Sequence, residues 1–344
     1  MRTGARRVSG TGKRSAAARA AAIVTGTVLL AGAAGCAAAG TPRGTGGAAL
    51  SSAARHHAQS TGGRANSGAA RATAGAACDP TAASLRPPPG PPRVTPGSFM
   101  AEIRSHGHLV AGVSASSFNF GYVNPIDGQF EGFDIDMIRA VATAIFGTPD
   151  GHIQYKAITD DQRKPDILNN TVDIVAETMT ITCDRLKSID FSSVYYAANT
   201  RVLVLKDSTA TGLGSLGGQK VCATTGSTSA GIISSYPVTP RLVLVPVPQF
   251  TDCLVKLQQG QVAAISTDDA ILAGLHAQDP FTKVVGPPFD PQPYGLAISK
   301  QHPDFVKFVN AVLAQERADN GWAASYKKWV GTPVPAPPAA KYAD

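Results

Sequence analysis

The stretch D-I-V-A-E-T-M-T-I-T-C-D-R, Asp173 to Arg185, decides how the rest of the chain is read. Ile174 to Ala176 is a short apolar run of the kind that forms a buried parallel strand. It empties into hydroxyls at alternate positions, Thr178, Thr180 and Thr182, and then into a single arginine, Arg185. Arginine offers a planar fork of donors to a carboxylate, and hydroxyls turn to donate or accept. In open α/β sheets, ligands bind beyond the carboxyl ends of strands. This strand end is therefore a candidate carboxylate site. A Thr-rich surface turn with a solvated Arg is the competing reading, and the flanking sequence has to arbitrate.

Strands and helices alternate on both sides of it. Upstream, Leu109–Val113 reads as a strand, and Asp134–Phe146 as a helix with Ile135, Ile138, Val141, Ala142 and Ile145 on one face. A strand at Ile153–Tyr155 and a helix near Asp160–Asn169 follow. Downstream come strand Val202–Leu205, strand Lys220–Ala223, helix Ser227–Ser235, strand Leu242–Val245, helix Phe250–Gln259, strand Ala263–Ser266 and helix Asp268–Gln278. A strand at Gly295–Ile298 and a helix at Pro303–Asp319 complete the series. Such alternation implies an α/β protein built on parallel sheets. The polar, Gly-rich break at Asp207–Gly218 suggests two lobes. Its G-L-G-S-L-G matches the dinucleotide fingerprint in spelling only, because it precedes a strand where a helix is required.

Charge divides the chain unevenly. Residues 1–97 hold 12 Lys/Arg and one acid, whereas residues 98–344 hold 19 Lys/Arg and 23 Asp/Glu. The overall charge of +7 thus belongs to the amino-terminal segment. With no basic stripe interleaved with aromatics in the remainder, nucleic-acid binding is not expected. Met1–Arg19 is basic, and Ala20–Ala34 is apolar but shorter than the ~20 residues a membrane-spanning helix needs. Small residues and Cys36 follow, which is the order of a secretory signal peptide. A-A-G-C, Ala33 to Cys36, resembles a bacterial lipobox, so Cys36 is the candidate lipidation site; plain cleavage and secretion is the alternative. From Ala37 to Gly97 the Ala/Gly/Ser/Thr/Arg and then Pro-rich composition buries too little apolar surface to fold, and reads as a disordered tether.

Five cysteines in an exported chain invite disulfides. With Cys36 assigned to lipid, Cys222 and Cys253 fall in one region and form the preferred bridge. Cys78–Cys183 is left by elimination. No C-x-x-C occurs, and His106 and His108 have no third ligand nearby, so no metal site is expected.

Two further constellations lie downstream. Thr224–Ser229, T-T-G-S-T-S, joins a strand to a helix start, where free N–H groups and the helix dipole face an anion. Capping by Ser227 is compatible with that role. Asp268-Asp269 ends a strand and opens a helix, so Asp268 is either a ligand group or an N-cap. Phe118 and Phe120, in S-F-N-F-G, either wall a pocket or simply pack.

Taken in order, E-G-F-D-I-D (Glu131–Asp136), T-M-T-I-T-C-D-R, T-G-S-T-S, S-T-D-D-A-I-L-A-G and P-Y-G (Pro293–Gly295) resemble the polar amino-acid solute-binding proteins of ABC importers, family 3. The likeness is to the glutamate/aspartate-binding branch of actinobacterial lipoproteins and covers roughly Ser98 to Val330. It implies the type II periplasmic-binding-protein fold, two α/β lobes joined by a two-strand hinge near Asn199–Leu205 and Gln292–Ile298. The implied layout is a signal peptide over 1–36, the tether over 37–97 and lobe 1 over 98–200, returning over 293–332. Lobe 2 then occupies 201–292, and a tail 333–344. The resemblance also implies roles. Arg185 clamps the ligand α-carboxylate with help from Thr180 and Thr228, Asp268 takes the α-ammonium, and Thr178 faces the ligand. Arg163 reaches a side-chain carboxylate, which favours glutamate or aspartate over glutamine or asparagine. Ser114 and Phe250 depart from those relatives, which carry an arginine and a histidine there.

The implied function is capture of an acidic or polar amino acid by hinge closure and its delivery to a membrane permease. The protein would be a monomer, lipid-anchored on the extracellular face and free of cofactors. A sensor reporting the amino acid to a membrane signalling protein would use the same binding chemistry. An exported dehydratase-like enzyme would need an acid or base beyond the ligand-neutralising set, and none is recognised.

Overall fold

The computed structural model describes residues 78–343. The signal peptide, Cys36 and the tether up to residue 77 lie outside the described residues. The tether reading fails for 78–97, where the chain is packed down as a strap. Ser84 is buried, its hydroxyl donates to the Phe191 carbonyl at 2.8 Å, and Asn310 Nδ2 donates to Ser84 Oγ at 2.7 Å. Prolines restrict the unfolded chain in advance, so a few polar ties suffice to order a Pro-rich segment.

After the strap, α1 (Phe99–His106) starts on Ser98, whose hydroxyl accepts from Ala101 N at 3.3 Å. It leads into β1 (Leu109–Val113), a small meander of β2 (Ser116–Ser117), β3 (Gly121–Val123) and β4 (Phe130–Glu131), and α2 (Phe133–Phe146). The apolar residues expected on one face of α2, from Ile135 to Ile145, are all buried. Each Ile or Val among them contributes about 1.5–3 kcal/mol relative to leaving it exposed. β5 (Ile153–Ala157), α3 (Arg163–Leu168), β6 (Ile174–Ala176) and β7 (Ile189–Phe191) complete the outward pass through the first lobe.

The long strand β8 (Tyr196–Leu205) crosses to the second lobe. There β9 (Lys220–Thr224), α4 (Thr228–Ser235), β10 (Val243–Val247), α5 (Phe250–Gln258), β11 (Ala264–Asp268) and α6 (Asp269–Gln278) alternate. β12 (Thr282–Tyr294) brings the chain back, and β13 (Ala297–Ser299), α7 (Pro303–Ala318) and α8 (Gly321–Trp329) close the first lobe.

Two five-stranded sheets result, ordered β5-β1-β6-β13-β7 and β10-β9-β11-β8-β12. They are mixed, where alternation alone predicted parallel sheets. β1 pairs in parallel with β5 and β6, but β13 runs antiparallel to β6 and β7. Likewise β9 is parallel to β10 and β11, while β8 is antiparallel to β11 and β12. The crossing strands cause this, since a chain that leaves a lobe and returns must enter each sheet against its direction.

The two crossings pair with each other, Tyr196 opposite Tyr294 and Ala198 opposite Gln292. Their aromatic rings stack 5.5 Å apart at the junction, with Phe120 edge-on to both at 5.0 and 6.2 Å. The hinge therefore passes through Tyr196–Thr200 and Asp290–Tyr294, whereas Val202–Val204 belong to the buried core of the second lobe. The disulfides Cys78–Cys183 and Cys222–Cys253 are both formed. Among the described residues, no helix is long and apolar enough to cross a membrane.

Candidate ligand-binding site

The first lobe contributes the ends of β6 and α3. Immediately after β6, Thr178 adopts φ 44°, a left-handed conformation that a Thr rarely takes. Asp134 of α2 holds it there, Oδ2 accepting from Thr178 N at 2.8 Å and Oδ1 from the Tyr195 hydroxyl at 2.6 Å. Burial pushes the Asp134 carboxyl up to about 6, and those two donors oppose the rise. The turn at Thr178 redirects the chain, so that Thr180 and Arg185 face the same cavity as Arg163.

Arg163 is 2% exposed and heavily engaged. Its Nη2 forms an ion pair with Asp160 Oδ1, its Nη1 donates to the Glu177 carbonyl at 3.0 Å, and Glu177 Oε2 lies 3.6 Å from its Nε. Burial drives the Glu177 carboxyl well above its ordinary range despite the arginine. Arg185 is freer. Nη1 donates to the Thr180 carbonyl at 2.6 Å, within its own loop, and Nη2 to the Gly226 carbonyl at 3.1 Å, across the cleft. Burial, and after it the neighbouring Arg163 charge, makes a second positive centre costly here, which is the condition under which an incoming anion is welcome.

The second lobe contributes the β9–α4 turn and the end of β11. Ser227 caps α4, its hydroxyl accepting from Ala230 N at 3.2 Å, so the helix N-terminus opens on the cavity. Asp268 occupies the N-cap position of α6, but its side chain makes no capping hydrogen bond. Its Oδ2 accepts from the Tyr294 hydroxyl at 2.7 Å, while Oδ1 is buried with no hydrogen-bond partner. Burial pushes this carboxyl up to about 7, against the pull of Tyr294. A half-satisfied buried carboxylate is an acceptor waiting for a cation or donor.

The lobes touch around these groups. Thr224 Oγ1 bonds Asp160 Oδ2, and Gly226 packs so tightly that a Cβ there would meet Asp161 Cα at 2.7 Å. Gln292, in the returning hinge strand, gathers a hydroxyl from each lobe. Its Oε1 accepts from Thr180 Oγ1 at 2.8 Å and from Thr228 Oγ1 at 2.9 Å.

One cavity is thus lined by Arg163, Thr178, Thr180 and Arg185 from the first lobe and by Ser227, Thr228 and Asp268 from the second. These are seven of the eight residues singled out as ligand-binding. Phe118 does not line it; its ring lies 5.0 Å from Tyr122 and its backbone abuts Gly274 of α6. Phe120 is core, under the hinge. Ser114 and Phe250 line an adjoining pocket together with Thr178 and Glu177, and Phe250 reaches both pockets. Missed from the sequence were Asp160, Glu177, Gln292 and Tyr294. A signal for Tyr294 was present in P-Y-G, whose tyrosine holds Asp268. Its glycine lets Ile181 pack where a Cβ would come within 2.8 Å. Among the described residues, no group of three His, Cys, Asp or Glu is placed to hold a metal ion.

Known proteins share this architecture. The sequence pattern of the bacterial extracellular solute-binding proteins, family 3, matches residues 109–332. The chain is 35% identical over 232 residues to the ABC transporter glutamine-binding protein GlnH of Bacillus subtilis, covering 67% of this chain and 84% of that one. It is 27% identical over 247 residues to the glutamate/aspartate import solute-binding protein of Salmonella typhimurium, covering 70% and 82%. Among solved structures, an ancestral arginine-binding protein bound to glutamine is similar at a TM-score of 0.61. It shares 30% identity, over 65% of this chain and 98% of that one.

Proposed function

The chain belongs to the bacterial extracellular solute-binding proteins, family 3, and from that premise we propose that it captures one free polar amino acid, L-glutamine ahead of L-glutamate, between its lobes and delivers it to an ABC permease. The observation that carries this reading is the pairing of Arg185 and Asp268 across one cavity, a guanidinium from the first lobe opposite an unsatisfied carboxylate from the second. A zwitterion neutralises both. Its α-carboxylate takes the Arg185 fork in place of the Gly226 carbonyl, with the α4 N-terminus and the Thr180 and Thr228 hydroxyls beside it. Its α-ammonium takes Asp268 Oδ1. A ligand touching both lobes favours their closure through differential affinity, and closure reports occupancy to the permease.

The preference for an uncharged side chain rests on a charge balance. The resemblance favoured an acidic ligand because it gives Arg163 the role of reaching a side-chain carboxylate. In the fold that guanidinium is matched by Asp160 and flanked by Glu177, so a second ligand carboxylate has no cation of its own. A carboxamide suits the mixed lining of Ser114, Ser117, Gln249 and Glu177 in the adjoining pocket. The name of the Bacillus subtilis relative points the same way.

Titration calorimetry of the purified protein against L-glutamine and L-glutamate tests the reading. Tighter binding of glutamine is expected, and Arg185→Ala should weaken it by about 2–5 kcal/mol, because the α-carboxylate loses its partner. Equal affinity of the Arg185→Ala variant refutes the site, and a preference for glutamate refutes the charge balance.

A further inference from the structure

The Cys78–Cys183 bridge joins two things that the binding reading leaves unconnected. Cys183 sits inside the loop from Thr180 to Arg185, three residues after one ligand hydroxyl and two before the guanidinium. The start of that loop is fixed, Ile181 N donating to the Pro293 carbonyl at 2.7 Å and Thr180 bridging to Tyr294, but beyond Ile181 its backbone has few holds. A short 3-10 turn over Arg185–Lys187 contains no buried residue, and Arg185 N relies on the Thr182 hydroxyl at 3.1 Å. Lys187 pairs only with Asp184 of the same turn, both largely exposed.

Cys78, by contrast, begins a strap that is firmly fixed. Asp79 caps the next turn through Thr81 N at 2.8 Å. Six residues beyond the cysteine, buried Ser84 binds the carbonyl of Phe191 in the edge strand β7 and the amide of fully buried Asn310 in α7. Asn310 Oδ1 in turn accepts from Ser193 N at 2.7 Å. The carboxy-terminal tail closes over the strap, Ala343 N donating to Ser84 O at 2.9 Å and Arg86 lying 5.0 Å over the Tyr342 ring. The disulfide thus spans 105 residues to tie the far half of that loop, from Thr182 to Arg185, to the anchored strap.

We propose that the Cys78–Cys183 disulfide is a positioning element of the binding site, holding the Thr180–Arg185 loop against the anchored strap so that the Arg185 fork is preset for the ligand carboxylate. This rests on the binding role argued above for Arg185. Prefixing a loop in its bound conformation improves affinity by removing the ordering cost from the binding step. The other bridge, Cys222–Cys253, has both cysteines fully buried within a regular strand and helix of the second-lobe core, whose own packing already fixes them.

The difference in exposure makes the test selective. The intact protein is treated with dithiothreitol under native conditions, which reduces a disulfide to two thiols as the reagent becomes its own cyclic disulfide. Alkylation and peptide mapping then establish that Cys78 and Cys183, but not Cys222 and Cys253, have opened. Glutamine affinity is measured by calorimetry before reduction, after it and after reoxidation, and in the C78S/C183S double variant of the full chain. A loss of threefold or more on opening, restored by reoxidation, is expected, in line with the roughly two- to tenfold value of immobilising one long side chain. A smaller change with the bond demonstrably open overturns the proposal, even if the melting temperature falls, because that outcome is structural support alone. Should the double variant fail to fold, affinity of the reduced native protein decides between these two outcomes without it. If the oxidised protein binds no amino acid at all, the functional reading fails instead.

Discussion

At the scale of single residues, the proposed binding mode depends on charges held apart until a ligand joins them. Asp268 is the most telling. Buried beside Tyr294 and with one oxygen unpartnered, its carboxyl is raised to about 7 from an ordinary value of 3.8. In the ligand-free protein the folded state therefore keeps a proton that the unfolded chain has lost between about pH 4 and 7. Stability from this group is highest below pH 4 and declines as pH rises through that window. Binding has the opposite slope, because an ammonium needs the ionised carboxylate and competes with the proton. Affinity for glutamine should rise by up to about tenfold per unit as pH increases towards 7 and then level off. Calorimetry across pH 5–8 checks this, and Asp268→Asn should both weaken binding and flatten the profile.

Part of this site was legible in the chain and part was not. Asp268 ends a strand, and Thr180 and Arg185 lie in the loop that follows one, so local sequence shows the strand and what comes after it. Asp160 stands three residues before Arg163, an ion-pair spacing that was legible and was missed, whereas Glu177 was not legible because a helix start and a strand end have no fixed spacing. The acidic ligand was favoured on the resemblance, which gives Arg163 a side-chain carboxylate to read.

At the scale of elements, the β9–α4 turn and the hinge strands do the joining. Gly226 has φ +81°, and its Cα faces the Asp161 backbone across the cleft. A methyl group there adds backbone strain and, in the closed form only, a steric clash. Gly226→Ala should weaken ligand binding by about 1–3 kcal/mol, as overpacking does elsewhere, and the measurement is again calorimetric. Unchanged affinity would mean that the lobes do not approach at this point when ligand binds.

The elements easiest to miss were those that break a local rule for a tertiary reason. β12 carries four prolines in G-P-P-F-D-P-Q-P-Y, which argues against a strand in isolation. It is tolerated because β12 is the edge of its sheet and is irregular between Val285 and Pro291. Gln292 was hidden with it, although it is the side chain that ties hydroxyls of both lobes to the hinge. By contrast, α2 and β6 follow their apolar patterns closely: α2 packs its apolar face into one core, and β6 is buried on both faces, Ile174 and Ala176 in that core and Val175 in a second one.

At the scale of the whole molecule, the two lobes, the hinge and the strap form a device for presenting a captured amino acid at a membrane. Cys36 lies outside the described residues, and its lipidation is a proposal drawn from A-A-G-C. Labelled palmitate supplied to the producing cells should appear on the protein and be lost in Cys36→Ser. Absence of label from the parent chain would make it a freely secreted protein, with the same binding chemistry.

In the proposed binding mode one zwitterion bridges Arg185 and Asp268. Calorimetry with L-glutamine and two analogues, one lacking the α-amino group and one with the α-carboxylate converted to an amide, addresses it directly. The account predicts clear binding of glutamine and loss of about 2 kcal/mol or more for each analogue, since each leaves one buried charge unpaired. Binding of either analogue as tight as that of glutamine would contradict it.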